Sequence, residues 1–175
     1  AGFPIDIPPE SGFFFLTEKI PALGGIPVQG VLFLGVALVA YLVLKKTPFG
    51  RYVYAVGGNE EACRLSGVRV GRVKILVYSI SGFLAGLAAL VHMARIHQGR
   101  ASEGIAFELD AIAAVVIGGT SLMGGVGTVG GTVIGALILT VLNNVLGLEN
   151  VHPYVQQCIK GGVIVAAVLV QRRKR

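Results

Sequence analysis

The run "GGNEEACRLSGVRVGRVK", residues 57–74, is the longest polar stretch in this chain, and everything around it is apolar. Of the 175 residues, 54% are hydrophobic and only 14% charged, against about 25% charged in ordinary globular domains. The mean hydropathy of +0.77 points the same way. A composition of this kind names a bilayer as the solvent. The 26 glycines agree, because glycine lets membrane helices approach closely. The net charge of +6 would suggest nucleic acid in a soluble protein, but here the basic residues gather beside apolar spans, so no nucleic-acid partner is expected and membrane lipid is.

Around the polar run, four windows approach the roughly 20 apolar residues that cross a hydrocarbon core: residues 28–44, 75–94, 131–148 and 154–170. A fifth segment, residues 109–123, is apolar but broken by Gly118, Gly119 and Thr120. Cytoplasmic loops carry the excess of lysine and arginine. The loop 45–74 holds seven basic residues and the tail 171–175 holds four. With both inside the cell, an even number of spans must separate them. The broken segment is therefore needed as a crossing. The expected fold is an all-α polytopic membrane protein of about five crossings, its N-terminus external and its C-terminus cytoplasmic. Residues 1–27 are then an external segment, and five of the seven prolines there exclude regular strand or long helix. Phe13 to Phe15 fit either a short interfacial helix or a triplet buried under neighbouring helices.

Within the polar run, Asn59 is suited to cap a helix, and Glu60 and Glu61 sit where the helix dipole favours negative charge. Gly67 stands where a left-handed residue ends it. A helix of two turns is marginal alone and persists only when packed. Its residues Glu60, Glu61, Arg64 and Leu65 suit a partly polar protein surface. A capped connector whose charges only set topology accounts for the same residues at least as well.

Other features were weighed for chemistry. Gly125, Gly127 and Gly130 satisfy GxGxxG, but no soluble βαβ unit surrounds them. No GxxxxGK[ST] occurs, so ATP hydrolysis is not expected on this chain. Gly127, Gly131 and Gly135 recur every four residues, as do Gly82 and Gly86, and such faces permit close helix crossing. The stretch "IGGTSLMGG" fits a hinge lining a pathway, since broken helices at membrane depth line cavities or are buried. That makes Gly118 and Gly119, with Gly127, Gly131 and Gly135, the packing and gating candidates, and Thr120 a lining candidate. Asn143 and Asn144 are the most polar pair inside a span, read as interhelical hydrogen-bonding residues or pathway amides. Lys160 reads as snorkelling to an interface, and Asp110 as capping or lining the broken span. Glu103, Glu108 and Asp110 read as a solvated outer rim, with contact to an external binding protein as the alternative. Cys63 and Cys158 read as free thiols, and the three histidines show no metal-binding spacing, so no metal or cofactor is expected.

The runs "TPFGRYVYAVGGNEEACRLSGVRVGRVKILVYSISGFLAGLAAL" and "ELDAIAAVVIGGTSLMGGVGTVGGTVIGALILTVLNNVLGL" resemble the permease subunit of ribose-type monosaccharide ABC importers. The resemblance covers the chain from about Thr47 onward and corresponds to the C-terminal half of such permeases, which implies a piece of a single permease domain. It implies that Asn59, Glu60, Glu61, Arg64, Leu65, Ser66 and Gly67 form the cytoplasmic coupling helix that docks on an ATPase subunit. It further implies ATP and Mg on that partner, a periplasmic or lipid-anchored sugar-binding protein outside, a second permease subunit, identical or closely related, and a bacterial inner membrane. Related importers of branched-chain amino acids, nucleosides or sugar-derived signals share these motifs. An intramembrane enzyme would need convergent acids, bases or metal ligands that the spans do not offer.

Overall fold

The computed structural model describes residues 5–6, 19–20, 26–99 and 104–173. Phe13 to Phe15 and Glu103 lie outside them. The described chain is helical apart from two-residue pairings: β1 (Ile5–Asp6) with β4 (Gln98–Gly99), and β2 (Lys19–Ile20) with β3 (Ile26–Pro27), both antiparallel. The helices are α1 (Val28–Lys46), α2 (Pro48–Gly58), α3 (Glu60–Leu65), α4 (Val70–Ile96), α5 (Phe107–Ile117), α6 (Val129–Leu148) and α7 (Pro153–Arg173).

Three of these, α1, α4 and α6, are long and apolar enough to cross a membrane, and α7 contains a shorter apolar stretch, Tyr154–Leu169. Their side chains face outward. Phe83 is 71% exposed, Tyr78 75% and Leu34 61%, whereas most of the buried apolar residues are small, among them Ala94, Ala113 and Ala114, with Leu139 the largest. Water would not tolerate that distribution, but lipid or packed helices do. The chain is a polytopic membrane protein.

Two departures from the sequence expectation concern the spans. At 11 residues α5 reaches only about 16 Å at 1.5 Å per residue, half the depth of a hydrocarbon core of about 30 Å. The helix by itself therefore does not complete the crossing that charge parity assigned to it. The basic loop is also mostly helix. It contains α2, α3 and the start of α4, so that Arg72 and Lys74 lie inside a helix of 27 residues.

The chain forms two compact units. One comprises residues 1–39 and 71–105, with most of α1 and α4. Gly82 and Gly86 on α4 have nothing within 4 Å, so their expected close crossing is not made among the described residues. The other comprises residues 40–70 and 106–175. Its core is Ala113, Ala114 and Leu139, with Ile117, Ala136, Leu142 and Ile164 packed around them. Here α5 packs against α6 and α7.

Local chemistry explains the breaks in this second unit. Thr47, extended and followed by Pro48, stops α1 and caps α2, its hydroxyl accepting from the Gly50 amide at 3.4 Å. Three helices end in the same double hydrogen bond around a left-handed residue. For α3 the Val68 amide donates to the Cys63 carbonyl and the Gly67 amide to Arg64, with Gly67 at φ 81°. For α5 the Thr120 amide donates to Val115 and Gly119, at φ 84°, to Val116. For α6 the Val151 amide donates to Leu146 and Asn150, at φ 51°, to Gly147.

Candidate functional site

The expected docking helix is present. Asn59 accepts from the Ala62 amide through its side chain at 2.9 Å, and Ser66 closes the far end by donating its hydroxyl to the Ala62 carbonyl at 2.8 Å. The helix proper is Glu60–Leu65, with Ser66 as its cap rather than its last residue. Glu61 and Arg64 pair at 2.9 Å with both side chains mostly in the open. Cys63 is half-buried, and the rest of α3 is exposed. Leu65 is 81% exposed, an apolar side chain at the end of a six-residue helix.

Asn59 has a second role that the sequence alone did not reveal. It ends α2, its amide donating to the Ala55 carbonyl at 3.0 Å, in the same extended conformation that starts α3. The two helices share one residue as their joint. The last turn of α2 then lies directly on the glycine loop between α5 and α6. A methyl at Gly57 would stand 2.9 Å from the Gly125 amide nitrogen, and one at Gly125 would stand 2.8 Å from the Gly58 Cα. Gly124 and Gly125, at φ 86° and 74°, turn the loop sharply enough to present bare backbone there. Beside this contact the Tyr54 hydroxyl donates to the Gly127 carbonyl at 3.0 Å. Tyr54 was not a candidate from sequence. Its only signal was the Thr47–Pro48 helix start, which places it on the second turn of a helix rather than in a loop.

The loop itself is closed by the Ser121 amide donating to the Val126 carbonyl at 2.9 Å, and Thr128 caps α6 by accepting from the Gly131 amide at 3.1 Å. A cleft of about 440 Å³ runs along it, with Ala40, Leu44, Val53, Tyr54, Val115 and Thr120 in its almost wholly apolar lining.

The glycine pattern divides. Gly131 and Gly135 do permit the close crossing read from their spacing: a methyl at Gly118 would meet the Gly131 carbonyl carbon at 2.5 Å, and one at Gly135 would meet Ala114 backbone and the Gly118 nitrogen. Gly127 is not on that face, because α6 begins two residues later. It is a loop residue under Thr120, whose Cγ2 would stand 2.7 Å from a methyl there.

Lys160 does not snorkel. It reaches Asp110 on α5, 2.7 Å from Oδ1 and donating to Oδ2 at 3.0 Å, with side-chain exposures of 15% and 27%. Fifty residues of separation hid this pair from sequence. Asn143 is half-buried, and its Oδ1 is enclosed with no hydrogen-bond donor among the described residues. Asn144 is exposed and is not brought to the same surroundings. Among the described residues no cluster of histidine, cysteine or acidic side chains is arranged for a metal.

These elements combine outward-facing apolar helices, a half-length helix that ends in glycines, and a capped polar helix that is mostly exposed. The chain belongs to the family described as branched-chain amino acid transport system / permease component, whose model matches residues 4–168. It is 52% identical over 167 residues to the ribose import permease protein RbsC of Haemophilus influenzae, covering 93% of this chain and 52% of that protein. It is 48% identical over 150 residues to RbsC of Bacillus subtilis, covering 86% and 47%. With the xylose transport system permease protein XylH of Haemophilus influenzae the identity is 44% over 146 residues, covering 83% and 39%. The chain thus spans about half the length of the ribose permeases it matches. No solved structure matches.

Proposed function

We propose that this chain forms part of the membrane permease of an ATP-driven importer for a monosaccharide such as ribose, in a bacterial inner membrane. The observation that carries the coupling role is the state of α3: six residues, capped at both ends, and exposed apart from Cys63, with Leu65 81% exposed. An isolated helix of that length is marginal, so α3 is suited to being held by a partner's surface, on which Leu65 would be covered. The ATPase subunit, which would bring ATP and Mg, is that partner. Sugar is favoured over amino acid because the similar proteins named above import ribose or xylose. A binding protein would deliver it from outside, and a second permease subunit would complete the pathway.

In this reading residues 45–74 are cytoplasmic, the N-terminal segment is external, and the basic tail at 171–175 is inside. The half-length α5, with its glycine loop, completes its crossing through irregular backbone held against α2 and α6, as broken helices at transport sites do. Asn143, with an enclosed acceptor lacking a donor, is the pathway candidate the geometry favours, ahead of Asn144.

The test is a double substitution, Glu61→Ala with Arg64→Ala, in the complete permease reconstituted with its ATPase and binding protein. An exposed ion pair contributes about 0–1 kcal/mol to folding, so insertion should be intact while sugar-dependent stimulation of the ATPase falls. Unchanged stimulation would remove the docking role from α3.

A further inference from the structure

We infer that Tyr54 is a positioning residue for energy coupling: its bond to Gly127, beside the backbone contact of Gly57 and Gly58 on Gly124 and Gly125, ties the α2–α3 joint to the start of α6. The inference rests on the docking role of α3 proposed above and assigns the route by which motion of α3 leaves it. Asn59 makes α2 and α3 move together, because one residue supplies the terminal hydrogen bonds of both. Any displacement of α3 is therefore applied to the last turn of α2.

The second half of α2 has two attachments to the glycine loop. The first is backbone against backbone, at Gly57 and Gly125, which leaves no side-chain rotamer to absorb a shift. The second is directional. Tyr54 holds the carbonyl of Gly127, the residue immediately before the Thr128 cap of α6, while Thr120 at the end of the broken helix α5 touches the same glycine. The hydroxyl thus pulls on the point where α5 ends and α6 begins. Tyr54 is half-buried beside the cleft, where Thr120, Ser121, Thr128 and Thr132 also carry hydroxyls, so what distinguishes its bond is the atom it holds, the carbonyl that leads into α6.

Tyr54→Phe keeps the ring in the cleft and removes only the bond. The complete permease, assembled in vesicles with its ATPase and sugar-binding protein, is compared as wild type, Tyr54→Phe and Tyr52→Phe; Tyr52 is on the same helix and 47% exposed. The expected result is that Tyr54→Phe retains the ATPase and its basal hydrolysis but transports about 3- to 10-fold less sugar per ATP, the span set by one hydrogen bond. Tyr52→Phe should match wild type. Wild-type sugar-to-ATP stoichiometry in Tyr54→Phe would overturn the inference and leave the docking role standing. Loss of the bound ATPase, or transport and hydrolysis falling together, would also overturn it by showing a general structural role. Failure of the docking role itself is read separately, from unaltered stimulation in the Glu61→Ala, Arg64→Ala protein.

Discussion

Alanine placed at Gly135 and at Gly130 puts the same methyl on the same helix in opposite surroundings. At Gly130 nothing lies within 4 Å; at Gly135 the methyl meets the Ala114 carbonyl oxygen, the Gly118 nitrogen at 2.9 Å and the Ala114 carbonyl carbon at 3.0 Å. All three atoms are backbone, so no side chain can rotate aside and α5 has to retreat. Alanine gains about 1 kcal/mol of helix propensity over glycine in a helix interior, as at Gly135, and at most that at Gly130, the second residue of α6. Overpacking costs about 1–3 kcal/mol, the upper end applying where every atom met is main chain. Gly135→Ala should therefore be less stable than Gly130→Ala by about 1–2 kcal/mol, measured by denaturant unfolding in micelles with the helix signal as readout. Equal midpoints, or a lower one for Gly130→Ala, would refute the assignment of Gly135 to the α5 interface.

Two further outcomes follow from single contacts. Asn59→Ala removes the side-chain cap of α3 and should lower its stability by about 1 kcal/mol, seen as faster amide exchange at Ala62 and Cys63 while α6 is unaffected. For the Asp110–Lys160 pair, Lys160→Met alone leaves a half-enclosed carboxylate without its cation and should cost about 3 kcal/mol. The double variant Asp110→Asn, Lys160→Met should recover most of that, and a double variant no better than the single one would show that the charges are not coupled.

What could be read from the residues was the chemistry that acts within a few positions. The Asn59 cap, the left-handed Gly67 and the break at Gly118–Gly119 each follow from one residue's conformational preference, and each stands as read. The apolar windows at α1, α4 and α6 were visible because lipid-facing helices need no periodic polar face. Two kinds of information were missing. The α2 helix was passed over because Arg51 and the lysines before it drew it into the basic loop, although Thr47 and Pro48 carry the usual start signal. The Asp110–Lys160 pair, the Tyr54–Gly127 bond and the contact of Gly57 on Gly125 join residues 50 to 73 positions apart, and no local preference encodes such a meeting. The four-residue glycine spacing misled at Gly127 for a related reason: a periodic pattern holds only inside the helix, and Thr128 begins it.

The contact of Gly57 and Gly58 with Gly124 and Gly125 also restricts how this protein can vary. Where two side chains meet, an enlargement on one wall can be offset by trimming the other, and a lineage can drift through paired replacements. Glycine has nothing to trim. A methyl added at Gly57, Gly124 or Gly125 finds only main chain opposite, so no second-site change at the facing residue restores the fit, and relief must come from moving a whole helix. Gly57, Gly124 and Gly125 are a fixed point about which the surrounding sequence is free to change, Gly58 included, since a methyl there meets the Gly125 Cα only at 3.9 Å.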